Sequence, residues 1–412
     1  MKPHLRTTLA LLLSLLTAAA VAQPTRVFSK DIMSLTARPN SEAGCDPVIN
    51  LNNPDDYIDF DFDVLGHEYR RITYHIEHFD AQWRQPSDLL TSEYMDGMDG
   101  LAIEDYDKSL RTALLYTHYH FTIPNENVAL RLSGNYRVHL IDDDTADTLA
   151  SVGFMVNEAR SFAQVTATPR TDRDISGRHQ QLEVTLNYNI LGVIDPDNEL
   201  TVIARQNRRW DNAVTLTEPN IRSATTIAWT HRPELIFNAG TECHRFEMTE
   251  KRTATIGIDR LEYHAPYEHA ILYPIERSQA YSYDEDHNGL CLVRSLRGDS
   301  DYEGEYLFVH FFINIPKQRN GARLFLQGDM TYGGLLPAYE LQWDEEEEHY
   351  TATALLKQGY YEYRVVTDTP ELDSPMGDFW EAENEYSISV YHRERGGRYD
   401  RLIGHNIIHT QQ

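Results

Sequence analysis

The stretch "YIDFDFDV", residues 57 to 64, alternates apolar and acidic side chains at every second position. Successive side chains of a strand point to opposite faces, so this alternation predicts a β-strand with one buried face and one solvated face. The same period recurs in "YRRITYHIEHF" (69 to 79), "YTHYHFTI" (116 to 123) and "YRVHLI" (136 to 141). The pattern therefore predicts a chain built from strands.

Short turn signals separate these runs, and no long helical period stands between them. Examples are "SGN" at 133 to 135, "DPDN" at 195 to 198 and "HNG" at 287 to 289. Strands at such spacing are typical of antiparallel β-sandwiches. We therefore predict a mainly β fold made of tandem immunoglobulin-like or early-set β-sandwich modules.

The 412 residues are enough for two or three domains with separate cores. We predict an N-terminal β-sandwich over 23–158, a middle β module over 159–298, and a C-terminal early-set-like β-sandwich with a closing tail over 299–412. The turn signals between neighbouring modules resemble those within them, so these boundaries are placed to within several residues.

Residues 1–22 differ in kind from the rest. Lys2 and Arg6 precede a long apolar run, and Ala20-Val21-Ala22 has the small-x-small pattern that signal peptidase cuts. This predicts export and a mature chain that begins at Gln23. No later stretch reaches the roughly 20 apolar residues of a membrane-spanning helix, so we expect no direct membrane insertion.

The formal net charge is −27. A field of this sign repels nucleic acid and anionic lipid at long range, so neither is expected as a partner. The three cysteines, Cys45, Cys243 and Cys291, allow at most one internal disulfide, which excludes a disulfide scaffold.

Positive signs of catalysis are missing from the sequence. It contains no "GxSxG" nucleophile elbow, and no glycine-rich phosphate loop follows any strand-like run. We therefore predict that the protein is not an enzyme, with no catalytic residues and no cofactor.

Four histidines invite a metal-site hypothesis. His75 and His78 lie in one strand-like run, and His118 and His120 in another. A zinc or iron site would need them to converge, whereas residues three apart in a strand point to opposite faces. Surface or interfacial histidines are the favoured interpretation, and no metal is predicted.

The loop "DEDHNG", 284 to 289, resembles the start of an EF-hand calcium loop, with Asp284, Asp286, Asn288 and Gly289 at its positions one, three, five and six. Its twelfth position is Ser295, where such a loop needs a bidentate Glu, and no helical pattern flanks it. A hairpin turn at Asn288-Gly289 explains the same residues, so calcium is the minor alternative.

Longer blocks carry a family resemblance. Residues 92 to 141, "SEYMDGMDGLAIEDYDKSLRTALLYTHYHFTIPNENVALRLSGNYRVHLI", resemble the central stretch of the type IX secretion system plug proteins of Bacteroidota. Five further blocks resemble that family in the same order: "HFDAQW" (78 to 83), "ARQNRRWDNA" (204 to 213), "FNAGTECHRFEM" (237 to 248), "LKQGYYEYRVV" (356 to 366) and "ENEYSISVYHRERGGRYDRLIG" (383 to 404). The chain departs from the family at "GTE" (240 to 242), where "GNE" is usual.

The resemblance implies a periplasmic protein, peripheral at the inner side of the outer membrane and monomeric outside its complex. It would bind the outer-membrane β-barrel translocon of the type IX system and close its channel while no cargo is present. Secreted cargo of the same system is a rival interpretation, but cargo ends in a sorting domain of its own, whereas this ending resembles the plug family.

A second rival is a carbohydrate-binding β-sandwich protein of the periplasm or cell surface. Residues 322 to 368 resemble early-set modules that bind glycogen, and Tyr332, Trp343 and Tyr361 would be the stacking residues. The aromatic loop of those modules is reduced here to "GDMTYGG", so a module without sugar binding is favoured.

Two segments are candidate partner contacts. "SEYMDGMDGLAIEDYDKSL" breaks the strand alternation; a long loop folded back on its own sheet is the favoured interpretation, and a recognition loop for a partner is the minority hypothesis. The basic closing strip is interpreted mainly as a structural clasp, with partner binding as the minority hypothesis. The partner-contact residues predicted from both segments are Tyr94, Met95, Met98, Leu101, Tyr106, Arg398 and Arg401.

Overall fold

The computed structural model describes residues 21–41, 44–161, 163–318 and 321–410. The predicted signal peptide, residues 1–22, therefore lies almost entirely outside the described residues. Strands account for 47% of the residues and helices for 4%, which confirms the mainly β prediction. No helix in the described part of the chain is long and apolar enough to cross a membrane.

Twelve strands form the first sandwich. They are β1 Arg26–Val27, β2 Ile32–Pro39, β3 Val48–Asn50, β4 Ile58–Leu65, β5 Ile72–Phe79, β6 Met95–Gly97, β7 Leu101–Ala102, β8 Asp105–Lys108, β9 Tyr116–Ile123, β10 Val128–Leu130, β11 Gly134–Asp142 and β12 Thr148–Asn157. One sheet has the order β1-β12-β11-β5-β7 with β3 beside β12, and the other has the order β2-β4-β9-β8. A small two-stranded sheet, β10-β6, lies beside them.

The β4 strand shows why the alternation builds this core. Ile58, Phe60 and Phe62 are fully buried between the two sheets. Phe60 stacks on Phe121 of β9 with ring centroids 4.8 Å apart, so neighbouring strands pack through aromatic pairs. The acidic residues of β4 lie on its other face, as the period-2 rule requires.

The next seven strands lie in the second sandwich: β13 Gln164–Thr168, β14 His179–Asn187, β15 Leu200–Gln206, β16 Val214–Leu216, β17 Ile221–Arg222, β18 Thr226–Trp229 and β19 Ile236–Asn238. One of its sheets has the order β13-β14-β18-β17, with β19 beside β14. The other sheet is completed by the last two strands of the chain.

Ten strands form the third sandwich: β20 His244–Met248, β21 Ile258–His264, β22 Tyr267–Leu272, β23 Ile275–Glu276, β24 Cys291–Val293, β25 Tyr306–Asn314, β26 Leu324–Gln327, β27 Gln342–Asp344, β28 His349–Lys357 and β29 Gly359–Thr367. Its sheets have the orders β20-β29-β24, with β26 beside β29, and β21-β22-β25-β28-β27, with β23 beside β25. The few helical turns are α1 Thr91–Tyr94, α2 Pro196–Glu199 and the 3-10 turns Pro233–Leu235, Asp329–Thr331 and Pro337–Tyr339.

The closing hairpin, β30 Glu385–His392 and β31 Arg401–His409, returns to the second sandwich in the sheet order β16-β15-β30-β31. The predicted middle and C-terminal limits therefore do not follow the sheets. The residues from β20 to β24, assigned by sequence to the middle module, belong to the third sandwich. The tail, assigned to the third, completes the second, because local periodicity does not specify which strands pair.

We expect the substitution Ile388→Ala in β30 to destabilise the second sandwich. Ile388 is fully buried and pairs with Ala204 of β15, so truncation opens a cavity that costs about 2 to 5 kcal/mol. Urea unfolding, with hydrogen exchange of the β14 amides, measures the loss. Half-buried Ile407 of β31 is the matched control, and Ile407→Ala should cost less. Equal losses in the two variants would contradict a core completed by β30.

Candidate functional site

The predicted partner-contact residues divide by burial. Tyr94 and Met95 are only 5% and 3% exposed and belong to the core of the first sandwich. The Tyr94 hydroxyl donates to the Ile76 carbonyl, 2.9 Å away. These two assignments to a partner surface are therefore wrong, because the segment folds back onto its own sheet.

Three residues of the same segment are accessible. Met98 is 61% exposed, Leu101 is half-buried, and Tyr106 is 38% exposed. Tyr106 lies on the edge strand β8, and its ring centroid is 4.7 Å from that of Tyr69. Tyr106 thus forms an exposed aromatic pair with Tyr69 at one edge of the first sandwich, and Met98 is a further exposed apolar side chain of the segment.

The arginines of the closing strip form intramolecular contacts. Arg401 Nε and Nη2 donate to the two carboxylate oxygens of Glu158 at 2.8 and 2.7 Å. Arg398 donates to the Asp88 carbonyl at 3.0 Å and also pairs with Glu93. Both contacts fasten the tail of the second sandwich to the first.

The four histidines do not converge on one site. His78 is buried between the Ser87 hydroxyl and the Ser133 carbonyl, and burial lowers its pKa to about 4. His75 pairs with Asp99. His118 and His120 lie on β9, in the sheet opposite β5, and pair with aspartates of the neighbouring strand β4.

The loop "DEDHNG" is held by protein groups. The Glu362 carboxylate accepts the backbone N–H groups of His287 and Gly289 at 2.8 and 3.1 Å. Ligand atoms of Cys243, Asp286 and Glu362 lie within 4.8 Å of one another. Arg364 Nη2 is 2.9 Å from Cys243 Sγ, so a guanidinium already supplies the positive charge that a metal would bring.

The proposed sugar platform does not form. Tyr361 is only 2% exposed and lies in the core of the third sandwich. Tyr332 packs against the core of the first sandwich, and Trp343 packs on Tyr350. The three rings therefore point into protein in different places, and the carbohydrate-binding alternative loses its stacking residues.

Ion pairs join the sandwiches at each of their three junctions; the cation is buried in all three, and the carboxylate is buried in two and 33% exposed in the third, Asp329. Lys357 Nζ of the third sandwich lies 2.6 Å from Asp63 Oδ2 of the first, with both side chains at most 1% exposed. Arg205 of the second sandwich pairs with buried Asp46 of the first at 2.5 Å. Arg208 of the second pairs with Asp329 of the third at 3.2 Å. A buried charge is costly without its partner, so each pair favours one docked arrangement.

Asp63 is the centre of the junction between the first and third sandwiches. It accepts hydrogen bonds from Lys357 and from the Tyr306 hydroxyl, each at 2.6 Å, and its other oxygen lies 2.8 Å from His118 Nδ1. Burial acts against a charged His118, but hydrogen bonds to Asp61 and Asp63 outweigh it and raise its pKa to about 9. Two cations thus neutralise the buried carboxylates.

Glu242 is a buried carboxyl at the edge of the third sandwich. Its Oε1 accepts the Tyr281 hydroxyl at 2.6 Å and the Glu383 N–H at 3.2 Å, while Oε2 has no hydrogen-bond partner in the described structure. Burial raises the pKa of Glu242 to about 7, against the lowering effect of these hydrogen bonds. The carboxyl therefore changes charge near neutral pH.

Sequence reasoning missed the junction residues. The aspartates of β4 were interpreted as a solvated face, although the third sandwich covers part of that face. Lys357 in "ALLKQG" and Arg205 in "TVIARQ" interrupt apolar runs, and this interruption is the one available signal. The signal marks a buried cation without identifying its partner.

Comparison with known proteins gives a family and a near relative. A family model described as the type 9 secretion system plug protein 1st domain matches residues 32–158. The crystal structure of a hypothetical protein from Parabacteroides merdae ATCC 43184 shares 30% identity with a TM-score of 0.89, covering 94% of this chain and 99% of that chain.

A weaker match is the C-terminal domain of the Streptococcus pyogenes antigen I/II-family protein AspA. It has 6% identity over 92% of this chain and 99% of that chain, and its TM-score of 0.17 supports no argument. A search of curated proteins finds no match.

We expect Lys357→Met to cost about 3 kcal/mol of stability, because it leaves the buried Asp63 carboxylate without its ammonium partner. Adding Asp63→Asn should restore much of that loss, because the buried carboxylate is then removed and His118 keeps Asp61 as its partner. Urea unfolding of the double-mutant cycle measures both effects. The exposed pair Lys317–Glu345 is the control, where Lys317→Met should cost about 0 to 1 kcal/mol. A loss at Lys357 no larger than at Lys317 would refute the junction's importance.

The raised pKa of Glu242 predicts a pH effect on stability. Between its unfolded value of 4.5 and about 7, the folded state binds a proton that the unfolded state has lost. Stability contributed by this group therefore falls as pH rises through that window, by an amount on the order of 1 to 3 kcal/mol. Glu242→Gln should be more stable than the parent protein at pH 8 and similar to it at pH 4.5 in urea unfolding. An unchanged difference between the two at pH 4.5 and pH 8 would contradict the assignment.

Proposed function

This chain belongs to the type IX secretion system plug protein family, and from that premise we propose that it is a periplasmic plug. It binds the outer-membrane β-barrel translocon of the system and closes its channel while no cargo is present. Family membership associates the chain with type IX secretion. That the chain closes the translocon channel is what we propose in addition.

The observation that supports gating is the triangle of buried ion pairs. A soluble body that closes a channel has to keep its shape while it is seated, and flexibly linked domains would not do so. The contacts of Lys357, Arg205 and Arg208 connect each sandwich with both of the others. The absence of a visible catalytic constellation in the sequence agrees with a role that depends on shape.

The contact surface that we propose contains the exposed pair Tyr69–Tyr106, together with Met98 and Leu101 of the segment that precedes β8. Aromatic and methionine side chains are the kinds that contribute most at interfaces. Tyr69 and Tyr106 are already in contact, with their rings tilted against each other, so little side-chain freedom is lost when a partner covers them. Arg398 and Arg401 are left out of this surface because they hold the tail.

Replacing Met98 and Tyr106 together by Lys should weaken capture of the detergent-solubilised translocon at least about tenfold, since interface aromatics are frequent hot spots. The control replaces two other exposed apolar residues, Ile190 and Ile194, by Lys and should retain capture. Affinity capture followed by identification of the translocon by mass spectrometry measures the difference. Equal capture by the two variants would remove this surface from the interface.

Gating itself is tested in a strain that lacks the protein. Its outer membrane should become permeable to large antibiotics that the membrane normally excludes, and the parent gene should restore the barrier. Unchanged permeability in the presence of an assembled translocon would contradict the gating proposal.

A further inference from the structure

An apolar cavity of about 690 Å³ lies where the three sandwiches meet. Residues 32 to 38 of β2 line it along one side, and Leu290, Cys291 and Leu356 of the third sandwich line the other. Cavities of this size at domain interfaces are usual ligand sites in proteins. Their walls also show which kind of ligand fits.

The wall formed by β2 is an unpaired strand edge. β2 has β4 as its one neighbour in the sheet order β2-β4-β9-β8. The Asn40 N–H donates to the Tyr57 carbonyl, so the backbone groups of Asn40 point toward β4. The backbone groups of successive residues in an antiparallel strand point alternately toward and away from the neighbouring strand. In the register Ala37↔Phe60, the N–H and C=O of Ala37 therefore point away from β4. They have no hydrogen-bond partner among the described residues.

A second polar group in this wall lacks a partner. Thr36 Oγ1 is buried and forms no hydrogen bond in the described structure, although Thr36 lines the cavity. Buried polar groups are nearly always hydrogen-bonded, so the Thr36 hydroxyl indicates a ligand with donors and acceptors of its own, and the unpaired backbone groups of half-buried Ala37 could bind the same ligand. An acyl chain would fill the apolar space but leave these groups unsatisfied. An extended peptide would satisfy them by adding a strand to β2.

A second cleft, of about 610 Å³ and lined largely by carboxylates, lies at the C-terminal end of β2. Residues 38 to 41, the end of β2 and the turn after it, line this cleft, so Arg38 belongs to both spaces. Carboxylates outnumber basic side chains in the walls of the cleft, which contain Arg38, His118 and His120 against Asp59, Asp61, Asp105, Asp107, Asp299 and Asp301. A ligand that runs along the whole edge would therefore meet apolar walls first and negative charge at one end.

We propose that this edge binds an extended peptide with apolar side chains at alternate positions and basic residues at its N-terminal end. Antiparallel pairing is the more stable arrangement, and an antiparallel strand would begin beside residues 38 to 41 and pair along Thr36 to Pro39, up to the irregularity of β2 at Ser34 and Leu35. Its basic end would then lie in the acidic cleft. Tyr106 of the proposed translocon contact also lines the acidic cleft, whereas neither Met98 nor Tyr106 lines the apolar cavity along β2. Variants at Ala37 therefore test this site alone, and the inference stands whether or not the protein gates a channel.

The strand itself offers a selective variant. Pro39 lies two residues after Ala37, so its backbone nitrogen points to the same side of β2, away from β4. The chain therefore already tolerates a proline on this side of the strand. Proline is accepted where a strand's N–H is unpaired, and Ala37→Pro should therefore fold while losing the donor that the peptide needs. Ala37→Val keeps the N–H and is the matched control.

The probe is the synthetic peptide Lys-Lys-Val-Thr-Val-Thr-Val, with Glu-Glu-Val-Thr-Val-Thr-Val as its charge-reversed counterpart. The basic peptide should bind the parent protein and Ala37→Val, and bind Ala37→Pro at least about tenfold more weakly because a main-chain hydrogen bond is lost. The acidic peptide should also bind at least about tenfold more weakly because like charges meet in the cleft. Isothermal titration calorimetry measures each affinity.

A second readout uses the unaltered protein, in case Ala37→Pro fails to fold. The basic peptide should slow hydrogen exchange in residues 32 to 39 and leave exchange in β13 (Gln164–Thr168) unchanged. Absence of binding by the basic peptide, equal affinity for Ala37→Pro and Ala37→Val, or unchanged exchange in β2 on binding would each overturn the proposal.

Discussion

The structure depends on the rule that a charge buried in protein needs an opposite charge beside it. Lys357, Arg205 and Arg208 are buried cations, and each finds a carboxylate on a different sandwich. Such pairs add little stability compared with well-packed apolar residues, but they penalise every arrangement that separates cation from anion. They therefore select one way of docking three sandwiches that could each form a core alone. The hydrophobic clusters build the sandwiches, and the ion pairs orient them.

Much of the local structure could be predicted from the sequence, because a period of two is a property of the strand itself. Ile58, Phe60 and Phe62 lie in the core that "YIDFDFDV" indicates, and the mainly β class follows from many such runs. Long-range pairing could not be predicted in this way. The strands β15 and β30 are neighbours although more than 170 residues separate them, and nothing in either run specifies the other. The limits of the middle and last modules were misplaced for that reason.

The candidate site was harder to predict than the fold, for a related reason. A strand's outer face looks the same in sequence whether water or another sandwich covers it, so Asp63 carried no mark of its role. Tyr94 and Met95 lie in a segment without alternation, and that irregularity suggested an exposed loop. In the structure their side chains fill the edge of the core. The unpaired edge of β2 is a property of the assembled molecule, since it depends on which strands are absent beside it.

The proposed plug depends most on the claim that the three sandwiches form one rigid body. Hydrogen exchange followed during a urea titration tests it directly, with one strand as the reporter for each sandwich: β4 (Ile58–Leu65), β14 (His179–Asn187) and β25 (Tyr306–Asn314). Because the buried pairs couple the sandwiches, all three strands should lose protection at the same urea concentration. Loss of protection in one strand at a clearly lower urea concentration, with the other two still protected, would contradict the account.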